Sequence, residues 1–148
     1  MKTMKILFLF LTLICVGKSV GQTKEETITW LKEKLGQYME GHSRVEDIRL
    51  VYINECEMTF TYVVNFGTAG IQNRKLIMPT NVSGIFSTDG ELYFNAEVVQ
   101  DINTDEGWVS YYRKSTLKLA NREADIRNRV EKALKHLATF CEKRKETF

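Results

Sequence analysis

The sequence predicts an α+β fold: an N-terminal helix, a six- or seven-stranded antiparallel sheet or partial barrel, and a C-terminal amphipathic helix. Three observations predict it. Residues 121–141 repeat apolar side chains at three- and four-residue spacing, the signature of one helix face. A shorter stretch, 23–40, does the same. Between them, residues 48–119 alternate with a period of two and are joined by short turns. Parallel strands need crossovers of about a dozen residues or more, so turns this short imply antiparallel pairing.

The chain begins with a segment expected to lie outside the fold. Lys2 and Lys5 precede an apolar run, 6–16, too short to span a bilayer. Ser19-Val20-Gly21 offers a signal-peptidase site, so residues 1–21 read as a signal peptide and Gln22 as the mature N-terminus. Lipidation at Cys15 and an uncleaved anchor are the alternatives. Thr12, Leu13 and Ile14 are not the small residues that lipidation expects before the cysteine. Removing Lys2, Lys5 and Lys18 leaves 18 basic against 19 acidic residues, so the net charge of +2 becomes −1. No argument for a nucleic-acid partner survives that change. No second apolar run suggests a transmembrane span. Residues 22–148 are expected to form one globular domain.

Thr23 and Glu26 form a capping-box pair that opens the first helix. Ile28, Leu31, Leu35, Tyr38 and Met39 give its apolar face, and Gly41 is a natural stop. Residues 48–53 form a strand, and Asn54-Glu55 a turn. In the next strand, 56–65, Cys56, Met58, Phe60, Tyr62 and Val64 share one face. Residues 67–70 read as a loop and 75–78 as a short strand before Pro79. Residues 85–96 read as a hairpin turning at 87–90, and 101–107 as a polar loop. Residues 108–119 are the longest expected strand, bulged or bent near Arg113. The last helix takes Asn121 as N-cap, with Glu123 and Asp125 in its first turn.

A bent sheet closed by one C-terminal helix resembles the pleckstrin-homology-like barrel, with a flatter sheet carrying both helices on one face as the alternative. The stretch Lys132-Ala133-Leu134-x-His136-Leu137, followed by Cys141 and Phe148, resembles the ending of small uncharacterised secreted bacterial proteins. Glu26-Thr27-Ile28-x-Trp30-Leu31 is similar to their N-terminal segment. The resemblance covers about a third of the chain; it implies a bacterial exported protein and no activity. In a eukaryotic source, Asn81-Val82-Ser83 would be a glycosylation sequon.

The motifs assign no chemistry. His42 follows a helix stop, and His136 lies on the flank of the last helix with no nucleophile signature beside it. Asp101, Asn103 and Asp105 alternate as calcium ligands do, but an EF-hand's glycine and glutamate positions hold Glu106 and Tyr112. A polar loop is therefore preferred to a weak calcium site, and no cofactor is expected. Cys56 and Cys141 remain after cleavage, and both are expected to face the core. They form a candidate disulfide, with two buried free thiols as the alternative. In the long strand, Val109, Tyr111, Ser115, Leu117 and Leu119 are expected to face the core. Trp108, Tyr112, Lys114 and Lys118 would then form an outward row suited to a ligand, the alternative being that the first helix covers this face and buries Trp108 and Tyr112 as a second small core.

The expected function is an exported, non-catalytic binding or accessory domain, periplasmic or secreted, meeting a protein, lipid or glycan partner in the envelope. Two alternatives remain: a cofactor-free hydrolase or isomerase using carboxylates such as Glu97 or Asp101, and an envelope-assembly subunit.

Overall fold

The computed structural model describes residues 22–41, 43–80, 84–88 and 91–141. The signal segment, His42, the 81–83 sequon and the tip of the 87–90 turn lie outside the described residues. Two helices, α1 (Lys24–Tyr38) and α2 (Ile126–Ala138), enclose seven strands in chain order. These are β1 (Met39–Glu40), β2 (Val45–Ile53), β3 (Glu57–Asn65), β4 (Ile71–Pro79), β5 (Gly84–Thr88), β6 (Glu91–Asn103) and β7 (Val109–Leu119). Every pairing is antiparallel, in the order β1-β7-β6-β4-β3-β2, with β5 added beside β6. The sheet curls until it nearly closes into a barrel.

Helix α1 starts as its sequence dictates. The Glu26 amide donates to Thr23 Oγ1 at 3.2 Å, and the Thr23 amide donates to Glu26 Oε2 at 2.9 Å. Both satisfy amides that a helix start leaves unpaired. The helix ends at Tyr38, two residues before the expected end at Glu40. Met39 turns extended (φ −62°, ψ 135°), and Met39 and Glu40 pair with Leu119 and Lys118 of β7. Sheet hydrogen bonds thus replace the final helical turn. Gly41 serves close approach rather than capping, since a Cβ there would run into the Val45 carbonyl oxygen.

Helix α2 is also shorter than expected. Asn121 does not cap it; Asp125, in the left-handed region at φ 59°, immediately precedes it. Asp is among the few residue types that tolerate that conformation. Glu123 therefore lies outside the helix, where it accepts from the Tyr38 hydroxyl at 2.8 Å and pairs with Lys34 and Arg129.

The helices pack on each other, with α1 also against β2 and α2 against β5 and β6. Leu31 and Leu35 of α1 meet Val130, Leu134 and Leu137 of α2 in the same core as Met58, Phe60, Met78, Leu92, Phe94 and Leu117. All of these are fully or almost fully buried. Burying one such side chain contributes about 1.5–3 kcal/mol. Cys56, in the β2–β3 turn, is bonded to Cys141 just beyond α2 (S–S 2.05 Å, Cα–Cα 4.9 Å). The Asn54 side chain shapes that turn by accepting from the amides of Cys56 and Glu57. One end of the barrel is thereby closed by helices and pinned to them.

β6, not β7, is the longest strand, because it runs on through Asn103 into what the sequence suggested was loop. Its pairing with β7 shifts register between Asn95 and Val99, opposite Lys114 and Tyr112. Three β6 residues therefore lie between partners that have only Arg113 between them on β7. Residues directly opposite share a face of the sheet. Phe94 pairs with Ser115 and Val99 with Tyr112, and Phe94 and Val99 are both fully buried. The inward face thus passes from Ser115 to Tyr112, and β7's alternation changes phase near Arg113. Leu117 and Leu119 face the core as expected. Val109 and Tyr111 do not: the pairing of Val99 with Tyr112 and of Asp101 with Ser110 leaves them on the outward parity.

Candidate functional site

The phase change gives the barrel a polar interior at the end away from the helices. On β3 and β4 the inward positions are Phe60 and Tyr62, paired with Leu76 and Arg74. Leu76 faces Asp101 on β6, and Asp101 faces Ser110 on β7. The apolar rows that fill the helix-capped end thus give way to Tyr62, Arg74, Asp101 and Tyr112.

These groups are closely tied. The Tyr62 hydroxyl donates to Asp101 Oδ1 at 2.7 Å, and Arg74 Nη1 donates to Oδ2 at 2.9 Å. The Arg74 and Asp101 side chains are only 11% and 9% exposed. Burying such a pair carries a desolvation cost that its mutual attraction and its further hydrogen bonds must offset. Arg74 Nη2 also donates to Gln72, while its guanidinium lies 4.4 Å from the centre of the Trp108 ring. Among the described residues Arg74 Nε has no hydrogen-bond acceptor. Burial, and then the bond to the Asp101 carboxylate, push the Tyr62 phenol well above its ordinary value.

Beside this cluster lies a cavity of about 400 Å³. Val45, Ile48, Leu76 and Val99 supply apolar wall; Tyr62, Asp101, Tyr112, Lys114, Ser115 and Thr116 supply the polar part. Its size falls in the usual range for small-ligand sites. A second cavity, about 380 Å³, runs between the helices past Trp30, Arg129, Lys132 and His136. Two of its three basic side chains are already engaged: Arg129 with Glu123, and His136 with the Gln22 carbonyl at 2.8 Å. We therefore place the candidate site in the barrel.

The structure redistributes the residues singled out by sequence. Tyr112 lines the cavity instead of facing outward, because of the phase change. Trp108 is 37% exposed and donates through Nε1 to Glu106 Oε2 at 2.7 Å; it covers Arg74 rather than the cavity. Lys114 lines the cavity, but Lys118 does not belong with it: Lys118 pairs with Glu40 at the β1 end of β7. Asp101, Asn103 and Asp105 do not converge. Asp101 holds Tyr62 and Arg74, Asn103 Oδ1 accepts from the amides of Asp105 and Glu106, and Asp105 accepts from the Asn73 amide and side chain. Among the described residues no three Asp, Glu, His or Cys side chains are grouped as a metal site would be.

Sequence reasoning missed Arg74 and the cavity walls. One signal was present: Arg74 shares parity with Leu76 and Met78, and a cation on a strand's apolar face needs a buried carboxylate. No protein-family model, curated protein or solved structure matches the chain.

Proposed function

We propose that this protein is an exported, non-catalytic binding domain that takes a small ligand into the cavity at the open end of the barrel. The observation that carries the reading is the cavity itself: an apolar wall with a few fixed polar groups, the usual make-up of a ligand site. Both Asp101 oxygens are already occupied by Tyr62 and Arg74, which favours binding over carboxylate catalysis. Export to the periplasm or beyond is supported by the basic and apolar start of the chain, by the resemblance of its ends to secreted bacterial proteins, and by the Cys56–Cys141 bond.

The test uses two eight-carbon probes, 1-octanol and octanoate, followed by titration calorimetry. At least one should bind with 1:1 saturation. Binding should disappear in Ser115→Phe, which fills the cavity, provided that circular dichroism shows the variant folded. Saturable binding by neither probe, or binding unchanged in the folded variant, would refute the reading.

A further inference from the structure

We infer that the ligand is an anionic amphiphile of about a dozen non-hydrogen atoms, an apolar body with one carboxylate-type head held by Lys114. This rests on the binding reading above and adds the ligand's chemistry.

The charge balance of the cavity decides the head. Among the described residues Asp101 is the one acidic side chain in the lining, and Arg74 neutralises it from behind at 2.9 Å. Lys114 is the other charged group in the lining, and no described side chain pairs with it. Counted over the described residues, the lining therefore carries one uncompensated positive charge. An ammonium head would face repulsion from Lys114 and find no free carboxylate. An anionic head gains a charge-assisted hydrogen bond. The Tyr112 hydroxyl, which makes no hydrogen bond to the described residues, lines the same cavity and can donate to the same head.

The body follows from the wall and the volume. Val45, Ile48, Leu76 and Val99 offer no hydrogen-bonding side chain, so the part of the ligand against them is hydrocarbon. About 400 Å³ divided by roughly 30 Å³ per water-sized unit gives space for about a dozen heavy atoms. That admits a short acyl chain or a compact ring acid, and is too small to enclose a full-length phospholipid.

The experiment compares octanoate, 1-octanol and octylammonium by titration calorimetry, against the parent chain and against Lys114→Gln. Octanoate should bind about tenfold or more tighter than 1-octanol, octylammonium weakest, and Lys114→Gln should bring octanoate close to 1-octanol. High salt should narrow the preference. If 1-octanol and octanoate bind the parent equally, or Lys114→Gln leaves the ranking unchanged, the anionic assignment falls while the cavity remains a binding site. If none of the three binds, both fall.

Discussion

Breaking the Cys56–Cys141 bond is expected to cost this protein much of its thermal stability. The two residues are 85 positions apart. Cross-linking so long a loop removes denatured-state entropy worth roughly 4.6 kcal/mol at 25 °C in the chain-entropy model. The 127 residues from Gln22 onward (148 − 21) unfold with an entropy of about 0.27 kcal/mol per kelvin, at roughly 2.1 cal/mol/K per residue. The ratio corresponds to about 17 °C. Removing a native disulfide costs about 2–5 kcal/mol, so the expected loss of Tm is about 7–19 °C. Both cysteines are only half-buried, so replacing them with Ala opens little cavity and the loss reports the cross-link. The assay is thermal denaturation by circular dichroism. It compares the parent, secreted into an oxidising compartment, with Cys56→Ala/Cys141→Ala and with parent treated with reductant. The variant and the reduced parent should melt together, both well below the oxidised parent. Melting points within about 2 °C of one another, or two free thiols in unfolded, unreduced parent, would refute the reasoning.

Asp101→Ala should cost about 3–5 kcal/mol in urea denaturation, because it strands the buried Arg74 charge and leaves the Tyr62 hydroxyl without its acceptor. The double variant with Arg74→Met should recover much of that loss; strictly additive effects would show that the two side chains do not act as a pair. A pH effect is expected at the other end of the molecule. The hydrogen bond from Tyr38, and then the charges of Arg129 and Lys34, hold the Glu123 carboxyl below its ordinary value against the opposing effect of desolvation. The unfolded state thus binds the proton more readily. The contribution is complete above the unfolded value of about 4.3 and lost as pH falls through the folded one. Urea midpoints between about pH 3 and 6 should fall less steeply for Glu123→Gln than for the parent, and parallel curves would reject the assignment.

Much of the fold is legible because its determinants are local. The capping box at Thr23 and Glu26, the apolar stripe from Ile126 to Leu137 and the alternation through Met58 and Phe60 each depend on residues within one turn or one strand. Even so, element ends shift where tertiary contacts compete. Met39 and Glu40 leave the helix for β7, and Asp101 to Asn103 leave a polar loop for β6, because sheet partners outweigh the local preference of two or three residues.

The candidate site was legible only in part. Tyr112 was singled out, but on the wrong face; Lys114, opposite Asn95, keeps the outward parity expected of it and borders the cavity at its rim, and Lys118 was grouped with them although it pairs with Glu40. Nothing within β7 reports how many residues β6 places between Asn95 and Val99, and that count sets which β7 side chains share the buried face.

The sequence by itself determined the α+β class, the antiparallel sheet between two helices, and the apolar faces that become the core. Those follow from periodicity and capping, which act over a few residues. Only the tertiary structure decided the near-closure of the barrel, the union of Arg74 with Asp101 and Tyr62, and the cavity beside Lys114. Each of these depends on the register between strands distant in the chain, and register is fixed by the joint packing of all the strands rather than by any one of them.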